Sequence, residues 1–175
     1  KNYYDSCDVI ATISKVTDDI VKTVSPDTES VYIPHAVNSE VFKPLDKEVI
    51  KKARQDAGIK QEQTLFFWNN RNARRKQSGS LIFWFKDFLD KVGKDSAVLL
   101  MHTYTKDQAG QDLEAIVSHL GLTNGEIKFS TAKIPPDQLS LMYNIADCTV
   151  NIADAEGFGL SSLESLSCGT PVINT

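Results

Sequence analysis

A chain of 175 residues, 41% hydrophobic and 24% charged, can bury one α/β core with a small appendage, and a net charge of −4 lacks the broad basic excess of a non-specific nucleic-acid binder. Its three cysteines, Cys7, Cys148 and Cys168, are odd in number and widely spaced, which argues against a disulfide framework or a structural zinc site and fits a reducing cytosol. The apolar runs fall well short of the ~20 residues that span a bilayer, and no signal-peptide pattern opens the stretch.

In chain order, residues 8–13 (DVIATI) read as a short buried strand, 16–24 as a helix and 30–33 as a second strand, which makes one β-α-β unit. Pro34, Asn38 and Pro44 punctuate IPHAVNSEVFKP, a hinge-like stretch that predicts a domain boundary, and a helix follows over 46–57, ended by Gly58. From Thr64 the apolar segments TLFFW, AVLLM, IKF, CTVNI and PVIN are separated by helical stretches at 77–92, 108–120, 136–145 and 160–168. That alternation predicts a Rossmann-like, doubly wound parallel sheet whose ligands sit beyond the carboxyl ends of the strands. The expected division is 1–36, 37–62 (hinge and linker helix) and 63–175, with both ends expected to be cuts in a longer polypeptide.

Two strand-to-helix loops carry candidate chemistry. In NIADAEGFGLSSLESLSCGTPVI, Gly157 and Gly159 precede a helix expected near Leu160, so Phe158, Leu160 and Ser161 lie where unpaired amides can hold a phosphate or a sugar hydroxyl. Glu156 stands before that helix and Glu164 eight positions later, in its first turn or so. Ser161 and Glu164 also fit an S-x-x-E capping box, so spacing alone leaves a helix-capping reading beside the ligand-binding one. The second loop, NNRNARRKQ after TLFFW, sets Arg71, Arg74, Arg75 and Lys76 beyond the first strand of the main domain. Such cations can grip a diphosphate, and a solvated basic turn fits the same residues.

EGFGLSSLESLSCGTPVI resembles the E-x7-E signature of retaining GT-B glycosyltransferases of family four, written EGFGxxxxEAxxxGxPVI, with Glu156 and Glu164 in the acidic positions. Arg71 and Lys76 match the arginine and lysine of the family's GRxxxxKG loop, with Asn70 and Gln77 where its flanking glycines stand. IPHAVNSEVFKP is similar to the family's hinge HGVDxxxFxP, which places His35 at the cleft's border in a structural role. The resemblance implies transfer of a sugar from a UDP- or GDP-sugar donor to a sugar, lipid or protein acceptor with retained configuration. It assigns Arg71 and Lys76 to the leaving diphosphate, Glu156 to the donor sugar, Glu164 to the ribose, and the amides of Gly157–Ser161 to sugar or diphosphate. The loop at Ala132–Pro135, with Ile134, is implied to pack against the donor base, and His102 lies near the ligand by topology. No cofactor and no metal are implied beyond the donor itself, nor any nucleic-acid partner. A cytoplasmic location follows, with peripheral membrane contact left to segments beyond both ends. A non-catalytic nucleotide-binding or interaction module of the same fold is the remaining alternative.

Overall fold

The computed structural model describes residues 3–175, which fall into two compact units: one running up to Ala36 and including Glu156–Leu160, the other holding Val37–Ala155 and Ser161–Thr175. In the first unit, β1 (Val9–Thr12) and β2 (Glu29–Tyr32) pair in parallel around α1 (Lys15–Val24), whose N-cap is Ser14. Asp18, buried on α1, ties the strands to the helix by accepting from Ser30 Oγ at 2.5 Å and Thr12 Oγ1 at 3.4 Å, while Lys22 Nζ balances its charge at 2.6 Å.

The second unit opens with α2 (Lys47–Asp56), whose N-cap Asp46 accepts from the Glu48 amide. It then alternates β3 (Thr64–Asn69), α3 (Ser78–Val92), β4 (Ala97–His102), α4 (Leu113–His119), β5 (Ile127–Ser130), α5 (Pro136–Ile145), β6 (Cys148–Asn151), α6 (Leu160–Ser167) and β7 (Val172–Asn174). Among the described residues these strands form a parallel sheet in the order β5-β4-β3-β6-β7. Strand side chains alternate faces, and both faces are covered. Trp68, Leu99 and Met101 pack with Leu81, Ile82, Phe85 and Leu89 of α3 and Leu113 of α4, whereas Leu65, Phe67 and Val98 pack with Tyr143 and Ile145 of α5 and with Ile50 and Ala53 of α2.

The α/β doubly wound reading holds, and most element ends fall within a residue or two of expectation. The clear exception is the helix expected over 108–120, which begins only at Leu113. Asp112 caps it through the Ala115 amide at 3.0 Å, and residues 105–111 instead fold back against the loop after β3. The order of strands puts a switch point between β3 and β6, because the chain leaves β3 toward β4 on one side and leaves β6 toward β7 on the other.

Candidate functional site: a crevice at the carboxyl ends of the strands

Register sets the floor. Asn69 pairs with His102, and His102 with Ser130, so the last residues of β3, β4 and β5 lie in one row. A crevice of about 500 Å³ opens above them, walled by Asn70, Arg71, Tyr104, Asp107 and Lys133 among others. It is of the size that small ligands fill.

Arg71 reaches this crevice with an exposed guanidinium held by a two-pronged bond to Asp107, Nε to Oδ2 at 2.8 Å and Nη2 to Oδ1 at 3.0 Å. Asp107 also accepts the Ala109 amide at 2.8 Å, and the Arg71 bond followed by that amide holds its carboxyl below the usual range, so it stays ionised. The arginine is thus pre-oriented by a carboxylate that an incoming anion must share or displace. Asn72 locks the two loops together. It is 1% exposed, its amide donates to Gln111 O at 2.7 Å, and its Oδ1 accepts from Ser78 Oγ at 2.8 Å and the Gln111 amide at 3.2 Å. Gly110 is needed there, because a Cβ would come within 2.1 Å of the Asn72 carbonyl oxygen.

His102 lines the crevice half-buried, with Nδ1 2.9 Å from Ser130 Oγ. Burial lowers its pKa, which favours a neutral imidazole that offers a hydrogen bond rather than a charge. Ile134 follows the lining residue Lys133 and is itself half-buried. Lys76 is not part of the crevice wall: it closes the short turn Arg74–Lys76 and is 6% exposed. Arg75 is placed by the β6 exit, its carbonyl accepting from the Asp154 amide at 2.8 Å and its Nη1 donating to Ala155 O at 2.6 Å. Glu156 follows Ala155 directly.

Within the first unit, Glu156 and Gly157 are exposed, and Phe158 sets its ring edge-to-face with His35 at 5.1 Å. Gly159 has φ of 84°, a left-handed value that a side chain resists. Leu160 then starts α6, so Ser161 is already inside the helix and Glu164 is its fifth residue. This overturns the capping-box alternative, because a cap must stand before the helix; Glu164, just past the first turn, has its Oε2 accepting the Tyr143 hydroxyl at 2.6 Å. Tyr143 in turn accepts from Asn69 Nδ2 at 2.8 Å. Asn70 Nδ2 donates to Asn151 Oδ1 at 3.2 Å, and Asn151 Nδ2 to Ser162 Oγ at 2.7 Å, so two polar links join the crevice side of β3 to α6.

Sequence reasoning missed Asp107, Asn72, Asn69 and Tyr143. The doublet Asn69-Asn70 at a strand's carboxyl end was the available signal, since a parallel sheet uses such positions for ligands rather than for its core. Among the described residues, no group of three or more His, Cys, Asp or Glu side chains is arranged to hold a metal, and no helix is long and apolar enough to cross a membrane.

Known proteins share this fold. The chain is 25% identical over 146 residues to a D-inositol 3-phosphate glycosyltransferase of Corynebacterium jeikeium, covering 82% of this chain and 34% of that protein. It is 24% identical over 180 residues to the alpha-monoglucosyldiacylglycerol synthase of Streptococcus pneumoniae, covering 99% and 38%. The chain therefore spans between a third and two fifths of the length of these relatives. In fold it is similar to sucrose-phosphate synthase from Thermosynechococcus elongatus, with a TM-score of 0.78 at 22% identity over 99% of this chain and 42% of that one. Anabaena HepE in complex with UDP and glucose gives 0.76 at 16% identity, covering 96% and 44%. These neighbours are GT-B glycosyltransferases, and the α/β architecture here is that fold. Residues 49–175 match the family model described as Glycosyl transferases group 1, and the chain belongs to that family.

Proposed function

We propose that this chain is the donor-binding part of a glycosyltransferase that moves a sugar from a UDP- or GDP-sugar to an acceptor hydroxyl on a sugar, lipid or protein, with retention of configuration and without a metal ion. The observation that carries the reading is the crevice at the carboxyl ends of β3, β4 and β5, where Arg71 stands over the row Asn69, His102 and Ser130. A diphosphate suits Arg71, whose planar fork is already turned toward a carboxylate and can exchange it for phosphate oxygens.

In the reaction the anomeric carbon gives up its bond to the diphosphate oxygen and gains one to the acceptor oxygen, while the acceptor hydroxyl's proton passes to the departing diphosphate. Negative charge grows on the departing diphosphate; Arg71, in the crevice wall, stabilises it, and Lys76, buried in the turn behind that wall, adds its charge to the field of the same loop. Glu156 orients the donor hexose, the amides of Gly157, Phe158, Gly159, Leu160 and Ser161 contact sugar or diphosphate, and Glu164 receives the ribose hydroxyls. The base rests by the loop containing Ile134, with His102 as a neutral hydrogen-bonding partner. The E-x7-E spacing of Glu156 and Glu164 supports retention, and the UDP and glucose bound by Anabaena HepE support a nucleotide-sugar donor. A cytoplasmic protein, in peripheral contact with a membrane through other segments where the acceptor is a lipid, fits this reading.

Calorimetry on the intact protein with UDP, GDP and the parent nucleosides is the test. Arg71→Ala should weaken diphosphate binding by about 10- to 100-fold, the loss expected of charge-assisted hydrogen bonds, and leave nucleoside binding unchanged. If Arg71→Ala and Glu156→Ala both leave donor affinity and sugar transfer as they were, the assignment is wrong.

A further inference from the structure

We propose that Tyr143 and Asn69 are positioning residues for Glu164: they hold one oxygen of its carboxylate so that the other meets the vicinal hydroxyls of the donor ribose. This rests on the reading of Glu164 as the ribose-binding residue given above. The direction of the link follows from chemistry. An amide nitrogen only donates, so Tyr143 Oη accepts from Asn69 Nδ2 at 2.8 Å, and the single phenolic proton goes to Glu164 Oε2 at 2.6 Å. Glu164 Oε1 remains for a ligand.

Tyr143 is a rigid support for this task. Its side chain is fully buried, and its ring meets the edges or faces of Phe67 at 5.1 Å and Phe42 at 6.2 Å. Its carbonyl accepts from Thr170 Oγ1 at 2.7 Å, which fixes α5 to the turn after α6. Asn69 ends β3 and lines the crevice, so the link runs from the crevice floor to the middle of α6. A buried phenol needs one partner to be satisfied. Here it has two, and the second is a carboxylate whose rotamers it restricts.

Immobilising a glutamate before the ligand arrives removes an ordering cost otherwise met on binding, and loss of that order weakens binding about three- to tenfold. The effect must appear only for ligands that use Glu164. Calorimetry on the intact protein therefore compares UDP and GDP with their 2′,3′-dideoxy counterparts. Wild type is expected to prefer the ribose forms, Glu164→Ala to lose that preference, and Tyr143→Phe to cut it three- to tenfold with dideoxy affinity unchanged. Asn69→Ala should act in the same direction and serves if Tyr143→Phe does not fold.

The outcomes separate the two ideas. If Glu164→Ala lowers the preference and both Tyr143→Phe and Asn69→Ala leave it at the wild-type ratio, positioning is overturned and the ribose role stands. If Tyr143→Phe weakens ribose and dideoxy ligands alike, the tyrosine is a packing group only. If Glu164→Ala leaves the ratio unchanged, the ribose role itself fails and this inference with it.

Discussion

Burial pushes the Glu164 carboxyl above the usual carboxylate range, and the Tyr143 hydroxyl bond only partly offsets that rise. The folded chain thus holds this proton to a higher pH than the unfolded chain, so Glu164 lowers stability as pH rises through the interval between the two values. A carboxyl whose ionisation costs the fold stability is better explained by what it binds than by what it packs. Glu164→Gln keeps an oxygen acceptor for Tyr143 and removes the charge. It is expected to melt at or above the wild-type temperature at pH 7.5, with the difference shrinking as acid protonates the wild-type carboxyl, while ribonucleotide affinity falls. Calorimetric melting at pH 7.5 and pH 4.5 checks this, and a variant that melts below wild type at pH 7.5 contradicts it. Asp107 behaves oppositely. Arg71 and the Ala109 amide favour its ionised form, so its contribution is present at neutral pH and lost as acid protonates it.

The loop after β3 shows how an element can depart from a motif and still keep its shape. Gln77 stands where the resembling family has glycine, and it adopts φ 54° and ψ 30°, the left-handed conformation glycine enters freely. That backbone costs a side-chain-bearing residue roughly 1–2 kcal/mol. Two bonds offset it, Nε2 to Asp154 Oδ1 at 2.7 Å and Oε1 from Ser80 Oγ at 2.7 Å, each contributing about 0.5–1.5 kcal/mol. Gln77→Gly relieves the strain and loses both bonds, so urea unfolding should place it between about 1 kcal/mol above and about 2 kcal/mol below wild type. Gln77→Val keeps the strain, adds a branch at Cβ and loses both bonds, with an expected loss of about 2 kcal/mol or more. Equal stability of the two variants would contradict this account. The strands and the helices with proline, glycine or aspartate punctuation were legible because period and capping are local. The fold-back of residues 105–111 was not, because Asn72 secures it through Gln111, a partner 39 positions away. The capping-box pattern misled for a related reason: Ser161 and Glu164 have the right spacing, but the left-handed turn at Gly159 starts the helix two residues too early for Ser161 to cap it.

At the scale of the whole molecule, placement decides between two cavities that size alone ranks the other way. A cleft of about 650 Å³, larger than the 500 Å³ crevice, lies between α2 and the loops that lead into β3 and β6, with Ile50, Ile59 and Ala146 in its wall. Those loops feed the amino ends of the strands, where a parallel sheet offers neither diverging strand-to-helix loops nor a switch point. The crevice sits at the opposite ends, where Asn69, His102 and Ser130 are held in register and the loop with Arg71 leaves β3. In a chain of net charge −4 that loop also gathers Arg71, Arg74, Arg75 and Lys76, so the field favouring an anion is local. Ligand binding should therefore stabilise one edge of the sheet. At a UDP or GDP concentration a hundred times the dissociation constant, linkage adds about 2.7 kcal/mol, and at about 2–4 °C per kcal/mol for a domain of this size the melting temperature should rise by about 5–11 °C. A tenfold weaker Arg71→Ala variant at the same concentration should lose about 1.4 kcal/mol of that, or about 3–5 °C. Amide exchange locates the effect: new protection is expected in residues 69–77, 102–112 and 130–134. If protection instead gathers in residues 58–61 and 144–147, the nucleotide occupies the larger cleft, and the switch-point argument fails for this protein.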